Sequence, residues 1–441
     1  MELHDICFYL TDMFEGEKSK AFVHYEPSVL DYTSDAQGVL IVENDRQKIS
    51  IALKGDEVSV RTLVGVLEET LFNRERVRTL YVWNIKDLVS YFRFYVPNFK
   101  IPPVSIVDIK IIEAFLGISK NSPKNYIEAV NRSNILQQSE RWLNVYKAIH
   151  QPLMLKVLPA IETTPLLDKV RREWVYPYYE IEGQANGRLN ASNRFKNGYL
   201  PHTMGQAVKE VLQPQEGHRF LSADFKSCEI FVLHWLSKDK ELARIIESGL
   251  DLHSEIYRVI TRDEQINPTK RDKSKIMFLP VMYGCGSEGL ARQLALDVNV
   301  SKELILRINS TFSGAHDWMM EKQDIAKRNQ KIEDYFGRRR EFPEQEAYRA
   351  RNFLVQAVAA TFCQEKLIDL HKTYEREFGD DAKIVFSVHD GYGATFIQKA
   401  FKDVNRITKQ VLETESKICP GLKIPVDIKF GIKLSNMKRI E

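Results

Sequence analysis

At 441 residues the chain is too long for one ordinary hydrophobic core, so two or three domains are expected. Hydrophobic content of 44% and charge of 28% are those of a soluble globular protein, and no apolar run is long enough to span a bilayer. A formal net charge of only +3 excludes a global basic field, so any nucleic-acid surface must be a local patch.

The N-terminus, "MELHDICFYLTDMF", lacks the basic and apolar regions of a signal peptide. The cysteines Cys7, Cys228, Cys285, Cys363 and Cys419 are scattered, with no CxxC pair. Reduced thiols and a cytoplasmic location are the simplest expectation. From about residue 35 to 120, short apolar runs alternate with helical patterns. "GVLIVEN", "KISIAL", "TLYVWN" and "SIVDIKII" predict strands, and "VRTLVGVLEETLF" and "LVSYFRFYV" predict helices, a small α/β unit. Residues from about 136 to 180 read as helices broken near Thr163–Pro165. From Gly183 a polar, Gly- and Asn-rich loop follows, then alternating strands and long helices, one running from about Asn352 to Lys372. A hairpin around Asp390, a helix and two final strands close the chain.

Three segments carry chemistry. "FLSADFKSCEIFVLHWLS" predicts a strand ending at Asp224 and a helix from Ser227, with Glu229 at the helix start. "KIVFSVHDGYGATFI" places Asp390 at the tip of an apolar strand, which would hold the carboxylate rigidly. Between them, "RDKSKIMFLPVMYG" spaces Arg271, Lys275, Leu279 and Tyr283 by four, on one broad helical face. Two cations and an aromatic on one face suit a triphosphate and a base. Two carboxylates on separate strands, with a basic helix between, describe a two-metal nucleotidyl-transfer site. Each piece also has a bland reading: a helix-capping aspartate at 224, an Asp-Gly turn at 390 and a solvated charged face at 271–275. Thr269 is the expected cap of the basic helix, and Pro280 is expected to kink it. Gly337-Arg338-Arg339-Arg340 is either a phosphate-contacting patch or an exposed turn. Gly284 to Gly289 fits GxGxxG but follows a helix, so a helix–helix turn is expected there and no dinucleotide site.

From Gly187 to Glu441 the chain resembles family A DNA polymerases, the DNA polymerase I-like enzymes. "DFKSCE", "RDKSKIMFLPVMYG" and "VHD" resemble their motifs A, B and C. "NGRLNAS", "DLH", "FGRRREFP", "RNFLVQAVAA" and "IPVDIKFG" extend the match in order. The resemblance implies an α/β multidomain fold. A right-hand palm and fingers would span 184–441, with the fingers at about 240–345. A small ribonuclease H-like, exonuclease-like domain would span 1–135, and a helical connection or vestigial thumb 136–183. It implies that Asp224 and Asp390, with the carbonyl of Phe225, hold two Mg²⁺ ions. Glu229 would exclude a ribose 2′-OH, and Arg271, Lys275 and His253 would grip the triphosphate. Leu279 and Tyr283 would line the nucleotide and templating positions. Arg188, Arg338, Arg339, Asn352, Gln356 and His389 would touch primer–template DNA. The implied partners are primer–template DNA, dNTPs and a processivity or replisome protein, with no membrane.

The sequence departs from the family at Leu279, an aromatic elsewhere, at Pro280, a glycine elsewhere, and at Gly391, an acid elsewhere. In the N-terminal part, "VWNIKDLVSYF" resembles the family's Asn-and-Asp exonuclease motif at Asn84 and Asp87, with one residue missing. Asp108 falls where that fold has an aspartate strand. No Asp-x-Glu motif is found, and Tyr126 is followed four residues on by Val130, so this domain is expected to be inactive as a nuclease. The gap from Glu162 to Gly187 is too short for the family's thumb. The compactness and Leu279 point to an enzyme of a bacterial virus.

Overall fold

The structure is a computed structural model that describes residues 204–439 continuously. Upstream it describes 19–27, 38–44, 46–53, 57–73, 75–84, 104–110, 155–157, 174–180, 183–192 and 198–199, with isolated positions between them. The expected features at Asp87, Tyr126 and Thr163–Pro165, and most of the 136–183 connection, lie outside the described residues.

The N-terminal unit is one five-stranded sheet of β1 (Ser19–Pro27), β2 (Gly38–Glu43), β3 (Lys48–Leu53), β4 (Val77–Trp83) and β5 (Ser105–Asp108). Its order is β3-β2-β1-β4-β5. β1, β2 and β3 pair antiparallel, and β4 and β5 run parallel to β1, a mixed α/β sheet. β3 shows why: Ile49, Ile51 and Leu53 alternate inward with exposed neighbours. The helix Glu57–Glu69 buries Val60, Leu63, Val64 and Leu67 at helical spacing. Sequence reading missed β1, the central strand.

The segment from 136 to 183 differs from expectation where it is described. Leu155–Val157 (β6) and Trp174–Glu180 (β7) are strands, not helices. β7 reads WVYPYYE, so β-branched and aromatic residues dominate, and Pro177 could not have donated a helical hydrogen bond. With β8 (Asn190–Ser192), β9 (Gly198–Tyr199) and β10 (Leu212–Gln213) they form a second sheet.

The third sheet positions the chemistry. β11 (His218–Phe225) is its centre, in the order β14-β15-β11-β16-β17. β14 (Ala382–Val388) and β15 (Gly391–Ile397) form a hairpin, with β16 (Val426–Gly431) on the far side of β11 and β17 (Lys438–Arg439) at the edge. One face is covered by the long helix Arg349–Glu377, whose Phe362 meets Phe225 at a ring-centroid distance of 5.1 Å. Six helices, from Lys240–Glu247 to Ser313–Asn329, then a short hairpin of β12 (Lys331–Glu333) and β13 (Arg339–Glu341), make up the expected fingers region.

Within that region the helix Pro268–Met282 buries Ser274, Met277, Phe278, Val281 and Met282. This apolar stripe leaves Arg271 and Lys275 on the opposite, accessible face. Its cap is Asn267, whose Oδ1 accepts from Lys270 N at 2.9 Å, with Pro268 at the first position, so Thr269 is not the cap. Asn267→Ala should therefore cost about 1 kcal/mol in chemical denaturation. Thr269→Ala should cost much less, and equal losses would contradict the assignment. Pro280 lies in the last turn, two residues before the helix ends. The turn is closed by Cys285 N donating to Pro280 O at 2.8 Å. Gly284, with φ of 99°, leads into the helix Ser287–Leu294, so the GxGxxG stretch is a helix–helix turn.

Candidate active site

Asp224 sits one residue from the end of β11, in register with Gly391 on one side and Asp427 on the other. Asp390 occupies the two-residue turn between β14 and β15, after His389, which adopts φ of 51°. The backbone locks them together, with Phe225 N donating to Asp390 O at 3.1 Å. A Cβ at position 391 would stand 2.6 Å from Asp224 Oδ1. Glycine there lets the Asp224 carboxylate lie against the hairpin, which gives the departure from the family pattern a physical reason. Ser227, which precedes the helix Cys228–Ser237, also has positive φ, at 53°. Left-handed backbone at non-glycine residues beside both acids is the kind of strain that packing sustains at functional sites.

The electrostatics mark these carboxylates as a pair. Asp224 is raised from 3.8 to about 6, chiefly by burial and then by the Asp390 and Asp427 charges, against the pull of Lys429. Asp390 is raised as well, chiefly by burial, with Arg188 and His389 opposing. Asp427, which sequence reading missed, is already taken: Arg439 Nε lies 2.6 Å from its Oδ1. Two under-neutralised carboxylates beside the Phe225 carbonyl are an oxygen-only donor set, the kind a hard cation such as Mg²⁺ prefers. Among the described residues no group of three or more His, Cys, Asp or Glu could hold a metal ion. Any ion held by Asp224 and Asp390 would thus complete its shell with backbone, water or substrate phosphate oxygens, as Mg²⁺ commonly does.

Glu229, in the first turn of Cys228–Ser237, is the hub of a second cluster. Arg188 Nη2 reaches its Oε1 at 2.5 Å, Tyr283 Oη its Oε2 at 2.5 Å, and Gln356 Nε2 its Oε1 at 3.3 Å. Asn186 links in through Gln356 at 2.9 Å. Burial, then the Glu229 charge, pushes the Tyr283 hydroxyl far up, so it stays a donor. The loop carrying Arg188 docks on the long helix through Gln364 Nε2, which donates to Gly187 O at 2.7 Å.

The third cluster is cationic. Arg271 makes a two-pronged pair with Asp251, 2.9 Å at each contact, and Lys275 Nζ lies 2.9 Å from Asp272. Burial opposes ionisation of Asp251, but hydrogen bonds from Arg271 and Ser254 bring it down to about 2. His253 Nε2 meets Ser227 Oγ at 2.9 Å, and its Nδ1 is buried without a partner. Burial, then Arg271 and Lys275, lowers His253 to about 4, so it is neutral near pH 7.

The remaining expected residues divide. Leu279 packs partly buried against the core beside Tyr283, and Asn352 shares the accessible stripe of the long helix with Gln356. His389 is exposed at the hairpin tip, and Arg339 is exposed and paired with Glu333 at 2.6 Å. Arg338 is not on the surface. It is 3% exposed, faces Asp334 at 3.8 Å and packs on Gly187, so its burial removes it from phosphate contact and makes it a support for the Arg188 loop. Tyr179 of β7, unnoticed in the sequence, clamps the strand leading to Asp390: it donates to Ser387 O at 2.6 Å and accepts from Ser387 N at 2.7 Å.

A sequence model of DNA polymerase family A matches residues 115–436. DNA polymerase I of Chloroflexus aurantiacus is 24% identical over 287 residues, covering 62% of this chain and 30% of that protein. The thermostable DNA polymerase I of Thermus aquaticus is 26% identical over 304 residues, covering 64% and 36%. The chain thus spans about a third of the length of these relatives. Among solved structures, the POL domain of Pol1 from M. smegmatis, in complex with DNA primer-template and dNTP, aligns over 99% of both chains with a TM-score of 0.77 at 13% identity, which establishes the fold.

Proposed function

This chain belongs to DNA polymerase family A, and from that premise we propose that it is a template-directed DNA polymerase adding deoxynucleotides to a primer 3′-OH. The observation that carries the reading is the juxtaposition of Asp224, near the end of β11, and Asp390, in the turn of the neighbouring β14–β15 hairpin, both raised by burial, with clusters around Glu229 and Arg271 on adjoining elements.

In this reading Asp224 and Asp390, with the Phe225 carbonyl, hold two Mg²⁺ ions. When bound, such ions make the 3′-OH a better nucleophile and neutralise charge on the leaving pyrophosphate. Arg271 and Lys275 turn from Asp251 and Asp272 to the triphosphate, where their charge counters that developing in the transition state. Neutral His253, bonded to Ser227, assists by positioning that residue beside the triphosphate. Leu279 and Tyr283 flank the incoming and templating bases. Arg188, Asn352, Gln356, His389 and Arg339 touch primer–template, and a processivity protein supplies hold on the duplex. The domain boundaries 1–135, 136–183 and 184–441 belong to this proposal, as does the absence of proofreading. That absence rests on the lack of Asp-x-Glu and Tyr-x-x-x-Asp signatures within residues 1–135.

Glu229 discriminates sugars in this reading. The bonds from Arg188 and Tyr283 hold its carboxylate in one orientation, which supports a role in which it clashes with a ribose 2′-OH. Glu229→Ala should raise ribonucleotide incorporation relative to deoxyribonucleotide by about 10-fold or more, each 1.4 kcal/mol of lost clash being one factor of ten. An unchanged ratio would remove this role.

Primer extension on a defined template, one nucleotide at a time, tests the function. Addition of only the complementary dNTP supports it. Extension that prefers NTPs would make the chain an RNA polymerase, and no extension with intact DNA binding would make it a scaffold.

A further inference from the structure

Arg351 stands apart from the other arginines near the site. Arg271 pairs with Asp251, Arg339 with Glu333, Arg349 with Glu346 and Arg188 with Glu229. Arg351 has no such partner among the described residues. Its Nη2 donates to the sulfur of Met320 at 2.8 Å, and its Nε is buried with no acceptor. Burial lowers its pKa, and the one acid that opposes this, Asp324, acts only through space. A thioether is a weak acceptor for a guanidinium. A half-buried cation without an anion costs free energy that a ligand can recover.

Its location says what kind of ligand. A Cβ at Gly284 would stand 3.7 Å from Arg351 Nη1 and 3.7 Å from the Tyr348 ring. The guanidinium and this 43% exposed aromatic therefore flank the turn that follows Tyr283. Asn352 and Gln356, the latter bonded to Glu229, continue the same helix. A planar fork of donors suits a phosphate, and an exposed aromatic beside it suits a base. The triphosphate cations Arg271 and Lys275 lie 12 and 8 residues before Tyr283, about 18 and 12 Å along the helix axis at 1.5 Å per residue. That separation favours a strand phosphate over the incoming nucleotide's.

We propose that Arg351 binds a backbone phosphate of the nucleic-acid strand passing the Tyr283–Gly284 turn, with Tyr348 stacking on the adjacent base. This rests on the polymerase reading above. The test is fluorescence anisotropy of labelled primer–template against rising KCl for the wild type, Arg351→Met and Arg351→Lys, with dNTP KM and melting temperature measured in parallel. Arg351→Met should weaken DNA binding and reduce the slope of log K against log salt by about 1, while Arg351→Lys keeps most of it. The melting temperature should hold or rise, because an unpaired buried charge is removed, and dNTP KM should not change. A lower melting temperature with unchanged salt slope would overturn the proposal in favour of a structural bond to Met320. A raised dNTP KM with unchanged DNA affinity would assign Arg351 to the triphosphate instead. If the wild type itself binds no primer–template, the polymerase reading falls and takes this proposal with it, whereas equal slopes in wild type and Arg351→Met defeat this proposal alone.

Discussion

Asp224→Asn and Asp390→Asn should each abolish primer extension, lowering the single-turnover rate by about 10³-fold or more. Several kcal/mol of transition-state stabilisation are at stake at a metal-held site, and each 1.36 kcal/mol is a factor of ten. The loss should not come from unfolding. Asp224 has its folded-state pKa raised from 3.8 to about 6 by burial and by the neighbouring Asp390 and Asp427 charges. In the metal-free protein the folded state therefore binds this proton more tightly than the unfolded state does between those values. Stability contributed at this position is present at low pH and is lost as pH rises from about 4 to about 6. Asp224→Asn cannot ionise, so it should flatten that part of the melting curve and leave the protein no less stable at pH 8. Scanning calorimetry against pH, alongside rapid-quench extension, checks both halves. A variant that extends at near wild-type rate, or one that is inactive only because it melts, would remove the carboxylate from the reaction.

The second large effect belongs to the cationic face of Pro268–Met282. Arg271→Ala and Lys275→Ala should each cut kcat/KM for the complementary dNTP by about 10²–10³, the cost of removing one aimed donor from developing charge. Arg271→Lys should recover only part, because the two-pronged geometry seen with Asp251 needs a guanidinium. Steady-state kinetics with varied dNTP would show the loss, and anisotropy with labelled DNA should show little change. The reverse pattern, intact dNTP kinetics with weakened DNA binding, would move this helix from the nucleotide to the duplex.

The parts of this site that were legible in the sequence are those set by local periodicity. The strand-to-helix switch after Asp224, the apolar strand behind Asp390 and the four-residue spacing of Arg271, Lys275, Leu279 and Tyr283 all fall where period 2 or 3.6 places them. What stayed hidden depends on partners far apart in the chain. Arg338 looked like a surface cation, yet its burial against Gly187 is decided by a contact 151 positions away, from 338 back to 187. Tyr179 reads as one aromatic among several until Ser387 is placed beside it. The strand Trp174–Glu180 was misread because its apolar spacing also fits a helix, although its aromatic content and Pro177 were the available signal. Thr269 lost the cap to Asn267 for a local reason: Pro268 belongs at the first helical position, which puts the cap one residue earlier. Gly391 is a departure from the family whose reason appears only once β11 and β15 are in register.

Counting ions in the assembled complex tests the pairing of Asp224 and Asp390 most directly. With a dideoxy-terminated primer, template and complementary dNTP, Mn²⁺ titration followed by electron paramagnetic resonance should find two ions bound per wild-type protein. It should find fewer than two with Asp390→Asn at the same protein and DNA concentrations. A wild-type complex that binds no Mn²⁺, or an Asp390→Asn complex that holds both ions, would contradict the account.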